Sequence, residues 1–170
     1  SMLDASLPAA SGTYTISVTG IAANSARGAA SFTGVDQTGP FGTSSAASGA
    51  ASPVTVNVSS TAATDLVVDF ACIKDPGTVT VGAGQTSSWN LLGSDVQGMG
   101  SREAGNGSTV TMSWTATATV QWQTIAVALK EAAGGAVAQQ FLFNPAALDG
   151  IGRGGIFLGR RLQYKVPIEN

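Results

Sequence analysis

At 170 residues the chain is long enough for one domain and an extension, and for a core that needs neither metals nor disulfides. Hydrophobic residues make up 44% and charged residues 11%, so much of the surface has to be Ser, Thr, Gly and Ala, as suits a protein that works outside a cell or inside a rigid assembly. There is no histidine, which removes every catalytic arrangement that needs imidazole and leaves carboxylates as the acid/base groups.

The net charge of −2 is unevenly placed: residues 1–133 are acidic, whereas the remainder is basic through Arg153, Arg160, Arg161 and Lys165. No run approaches the ~18 apolar residues of a membrane span, and no basic stretch followed by an apolar one opens the chain. Neither a membrane segment nor a signal peptide is therefore expected. The single cysteine, Cys72, sits in an apolar run and reads as a small buried hydrophobe. It can form no internal disulfide and leaves the redox compartment open.

Strand signals begin at Thr13, where Tyr14, Ile16 and Val18 alternate with hydroxyl residues. Residues 27–32 form a second candidate, closed by the turn T-G-V-D-Q-T-G-P. The Gly/Ser/Ala-rich stretch 41–53 reads as an exposed loop, and Val54, Val56 and Val58 mark the next strand. Residues 65–73, D-L-V-V-D-F-A-C-I, are apolar and β-branched enough for a central strand, stopped by Asp75-Pro76-Gly77. Residues 85–92 and 96–102 are shorter candidates. Asn106-Gly107 suits a two-residue hairpin turn and predicts that 97–103 pairs with 108–114.

Residues 108–131 carry the strongest pattern. Val110, Met112 and Trp114 alternate with Thr and Ser, and residues 122–129 bear Ile125, Val127 and Leu129 on one face with small residues on the other. With no charge on either face, the second strand is expected inside a sheet and covered on both sides, and the two strands are expected to pair. The fold class that follows is all-β: an antiparallel, jelly-roll-like β-sandwich over residues 1–131, with an irregular Gly-rich C-terminal extension over 132–170. That extension has too many glycines for a helix beyond a turn near Asn144 to Leu148.

Several patterns bear on function. G-I-G-R-G-G at 150–155 with Arg160-Arg161 could cradle an anion, but it lacks the ending of a P-loop and reads better as a docking segment. These arginines are too few for a nucleic-acid face. Asp65 and Asp69 read as a strand-end acid and a hydrogen-bonded one rather than as calcium ligands, so no metal and no cofactor is expected. Trp122, flanked by Gln121 and Gln123, could with Trp89 stack on a sugar, while Trp114 reads as core. A carboxylate-based glycoside hydrolase would have to draw on Asp65, Asp69, Asp95 and Glu103, and is the least favoured reading.

The segments S-G-T-Y-T-I-S-V (11–18), A-A-S-F-T-G-V-D-Q-T (29–38), D-L-V-V-D (65–69), A-G-Q-T-S-S-W-N (83–90), S-T-V-T-M-S-W-T (108–115) and I-A-V-A-L-K (125–130) resemble a β-sandwich family, jelly-roll or concanavalin-A-like, of bacterial secreted proteins and phage virion or adhesion-like proteins. The resemblance covers residues 3–131 and implies no catalytic residue, with Asp36 capping a turn after a buried Phe32. It also implies that strands preceding Leu3 are missing from this chain, either lost or supplied from elsewhere. The expectation is a non-enzymatic virion component, located in a virion or extracellularly: a capsid decoration, fibre or filament subunit with other protein subunits as partners and neither nucleic acid nor membrane. The alternative is a lectin-like module that binds glycans through Trp122, Gln121, Gln123 and Trp89. Phe141, Phe143, Phe157, Leu158, Arg160 and Arg161 are the expected assembly anchors of the extension, with residues 166–168 as an added edge strand.

Overall fold

A computed structural model of the chain describes residues 15–16, 28–59, 61–75, 77–93, 95–118, 121–135, 137–142 and 156–157. These residues are all-β: β1 (Thr15–Ile16), β2 (Ala30–Thr33), β3 (Phe41–Gly49), β4 (Val54–Val58), β5 (Leu66–Lys74), β6 (Val79–Val81), β7 (Thr86–Leu92), β8 (Val96–Ala104), β9 (Val110–Ala116), β10 (Trp122–Leu129), β11 (Ala138–Leu142) and β12 (Ile156–Phe157). A five-stranded antiparallel sheet in the order β3-β10-β5-β8-β7 faces a three-stranded sheet in the order β4-β9-β6. Pairing is nested: β3 lies beside β10, β4 beside β9 and β5 beside β8. Folding the chain back on itself in this way is the jelly-roll pattern. It breaks only at β7, which turns back beside β8 instead of pairing with β6.

The period-2 pattern explains the layers. Val54, Val56 and Val58 of β4 and Val110, Met112 and Trp114 of β9 are buried, with Thr and Asn between them turned outward. They meet Val67, Ala71 and Ile73 of β5, Met99 of β8, and Ala126 and Ala128 of β10. Small side chains on β10 let the sheets approach, and Trp114 fills the space that remains. Each large side chain buried in this way contributes roughly 1.5–3 kcal/mol relative to exposure. As expected from the sequence, β5 is central and β10 is an inner strand.

The expected pairings inside 97–131 do not form. The strands β8 and β9 belong to different sheets, and so do β9 and β10. Both edges of β8 are taken by β5 and β7, so Asn106-Gly107 carries the chain across the sandwich. There Gly107 adopts φ 77°, and the Asn106 side chain accepts from Ser108 N at 2.8 Å and donates to Thr109 O at 3.0 Å. Crossing over buries Val110, Met112 and Trp114 against the five-stranded sheet.

Residues 41–49, expected as a loop, form the nine-residue strand β3. Backbone pairing with β10 overrides the weak strand preference of Gly, Ser and Ala. The strand β6 carries too few residues to have been marked in the sequence. Asp36 accepts from Thr38 N at 2.8 Å and Gly39 N at 3.3 Å, as expected of a turn cap, whereas Phe32 before it is half-buried. Beyond residue 131, β11 pairs with β2 and β12 with β1, so these parts of the extension return to the N-terminal strands of the same chain.

Candidate functional site

Inside the sandwich, Asp69 is the residue around which the polar groups are arranged. Its side chain is 1% exposed. Oδ1 accepts from Ser101 N at 2.6 Å and from Ser101 Oγ at 2.7 Å, and Oδ2 accepts from Trp114 Nε1 at 2.8 Å. Ser101 in turn accepts from Gln85 Nε2 at 2.6 Å, and Gln85 Oε1 accepts from Ser113 N at 2.7 Å. Asp69 and Ser101 belong to the five-stranded sheet and Ser113 and Trp114 to the other, so this chain of bonds ties the two layers together. Burial pushes the Asp69 carboxyl above its ordinary value, and the bonds from Ser101 and Trp114 offset part of that rise. Every donor is neutral and the carboxylate is buried, so Asp69 is a hydrogen-bonded acid that ties the layers together. Asp65 accepts from Ala62 N at 2.8 Å where the chain enters β5, and so organises that entry.

The other acids do not gather around it. Asp95 is exposed, and Glu103, half-buried, is pushed up by burial. Among the described residues no group of three or more Cys, Asp or Glu side chains could hold a metal ion. No helix of the described residues is long and apolar enough to cross a membrane.

The tryptophans expected to share a sugar platform lie on opposite faces of the five-stranded sheet. Trp122 stands opposite Ile73 and packs, half-buried, against the core cluster that contains Trp114. Its Nε1 donates to Ala51 O at 2.7 Å, and its ring covers Gly49, where an added Cβ would come within 2.6 Å of Cζ2. Gln121 and Gln123 are exposed, but Gln123 is one residue out of phase with Trp122 and points to the other face. Trp89 stands opposite Gly100 on that outer face, because the register slips between Ser87 and Trp89. It is 8% exposed, lies 6.3 Å from the Phe70 ring, and is wedged between the backbones of Gly28 and Gly100. Its Nε1 has no hydrogen-bond partner.

The outer face of the five-stranded sheet therefore carries an apolar row that the sequence did not place. Ile125 and Phe70 are opposite one another in register and are 52% and 37% exposed. Val68 and Val127 follow as the next opposed pair, and Leu66 and Leu129 lie at the end of the same face. The segment containing β2 crosses part of this face from Gly28, against Trp89, to Val35, which bridges to Glu131. Ile125 and Phe70 remain open beside it, so β10 is not covered on both sides. Cys72 lies on this face and is exposed, in place of the buried position expected for it. In a run apolar on both faces, the burial of Asp69 puts Val67, Ala71 and Ile73 inward and turns Phe70 and Cys72 outward.

At one end of the sheet a cleft of about 640 Å³ opens between Phe41, Thr43, Thr64, Asp65, Lys130 and Glu131. Its mixed lining is open to solvent and offers both signs of charge. Of the residues expected as assembly anchors, Phe141 stands in β11 opposite Ser31 and Phe157 in β12 opposite Thr15. Phe143, Leu158, Arg160 and Arg161, the turn through Leu148 and the strand expected at 166–168 lie outside the described residues.

No family model, no curated protein and no solved structure matches this chain.

Proposed function

We propose that the chain is a non-enzymatic structural protein, a virion component of the decoration, fibre or filament kind, that works by assembling with other subunits. The observation that carries this is the open apolar pair Ile125 and Phe70 in the middle of a sheet face, with Phe41 a further exposed aromatic at the sheet's edge strand. Exposed apolar side chains scattered singly need no explanation, but side chains adjacent in register on a β-face mark a contact surface. The low charge of the chain favours such contacts, since little has to be desolvated when the face is covered.

Sedimentation velocity of the intact chain across the micromolar range tests this. Self-association that weakens in Phe70→Lys and Ile125→Lys is expected. A well-folded monomer at every concentration, with no change in either variant, overturns it.

A further inference from the structure

On the assembly reading above, the edge of β3 that faces away from β10 is where a second chain can add. An exposed strand edge presents unpaired N–H and C=O groups, and proteins that stay monomeric guard such edges by shortness, charge, proline or bulges. Three of the four edges in this sandwich are guarded. The strand β6 has 3 residues, β4 has 5, and β7 is broken by the slip between Ser87 and Trp89, which leaves only Trp89 to Leu92 in unbroken register.

The strand β3 differs. It runs for 9 residues, F-G-T-S-S-A-A-S-G, with no charge and no proline. It pairs on one side only, with β10. The slip between Val127 and Leu129 places a bulge at Gly42 and Thr43, so residues 44–49 run in unbroken register from Ser44 opposite Val127 to Gly49 opposite Trp122. Among the described residues no further hydrogen bond reaches this strand.

We infer that the β3 edge joins two copies of this chain, β3 against β3 antiparallel, to make one sheet of ten strands. The strand suits itself as a partner. A two-fold axis through Ala46 sets Ala46 against Ala46, Ser44 against Ser48 and Ser45 against Ala47. All are small and uncharged at the roughly 4.5–5.5 Å spacing of directly opposed side chains. A charged partner strand would find no complement here, because no side chain of β3 is ionisable. The join also brings the two copies of Ile125, which stands opposite Ala46 on the neighbouring strand, onto the same face of the joined sheet. Strand addition then supplies the main-chain bonds that hold the join.

The test is the mass of the full chain by sedimentation equilibrium, comparing wild type with Ser44→Lys/Ala46→Lys. Both positions are exposed, so the substitutions are compatible with the monomer fold, which circular dichroism checks. In the join Ala46→Lys sets a lysine directly against its own copy and Ser44→Lys adds another diagonal to it, and association should weaken on the order of tenfold or more. If wild type associates and the double variant associates equally well, the β3 joint is overturned while the assembly reading stands. If wild type is monomeric throughout, the assembly reading itself is overturned and the joint with it. Amide exchange over residues 41–49 reads the same joint without substitution: protection that rises with protein concentration supports it, and protection independent of concentration in an associating chain overturns it.

Discussion

Replacing Ser101 by Ala removes one hydroxyl from the middle of the inter-sheet network, and the structure sets the size of the effect. The hydroxyl donates to Asp69 Oδ1 at 2.7 Å and accepts from Gln85 Nε2 at 2.6 Å. A bond to a charged group contributes about 1.5–3 kcal/mol and a neutral one about 0.5–1.5 kcal/mol. Gln85 is half-buried, and it can turn its amide to water only by releasing Ser113 N, so little of the second loss is recovered. The expected destabilisation at neutral pH is therefore about 2–4 kcal/mol.

The pH dependence carries a sign. The folded-state pKa of Asp69 is raised above its unfolded value. Its contribution is then fully present below the ordinary carboxyl pKa of about 3.9 and is lost as pH rises through the folded value. Removing a donor that favours the charged form raises the folded pKa further. The cost of Ser101→Ala should thus grow as pH rises, starting in acid near the figure for two neutral bonds, about 1–3 kcal/mol. Urea unfolding of wild type and variant at pH 3.5, 5 and 7 measures this. A loss below about 1 kcal/mol at pH 7, or a loss that is flat or shrinks with pH, would refute the network as the tie between the sheets.

Further predictions follow from close contacts on both faces. Gly100→Ala places a Cβ 2.5 Å from Trp89 Nε1, with Gly28 closing the other side, and should destabilise by about 1–3 kcal/mol and shift the tryptophan fluorescence; an unshifted spectrum with full stability would count against the wedge. Gly49→Ala brings a Cβ within 2.6 Å of the Trp122 ring and should cost a similar amount, about 1–3 kcal/mol; Trp122→Ala in the same chain should remove most of that penalty, a coupling that a double-mutant cycle measures. Burial pushes the Cys72 thiol up although the residue is exposed, so labelling by a neutral maleimide should go to completion but run slower at pH 7 than for an unhindered peptide thiol and speed up as pH rises; complete protection would mean the outer face is covered at that point.

Side-chain alternation alone was enough for the elements whose two faces differ in chemistry. Val54, Val56 and Val58, and Val110, Met112 and Trp114, had to turn inward because Thr, Ser and Asn occupied the intervening positions, and the structure buries all six. A short polar side chain can act on its own neighbours, so Asp36 and Asp65 were legible as local turn and strand-end residues. Where both faces of a strand are apolar, local pattern loses its power. In β5, only the donors that meet Asp69, two from Ser101 on the neighbouring strand and Trp114 Nε1 from the facing sheet, decide that Phe70 and Cys72 face out. Likewise the faces of Trp89 and Trp122 depend on register, and one extra residue, Ser88, separates what the sequence suggested as a single platform. The strand β3 has almost no strand signal of its own, and β10 beside it imposes its extended form. Periodicity is a property of a segment and could be read from the chain, whereas partner, register and edge are properties of pairs of segments and arise only when the sheets close.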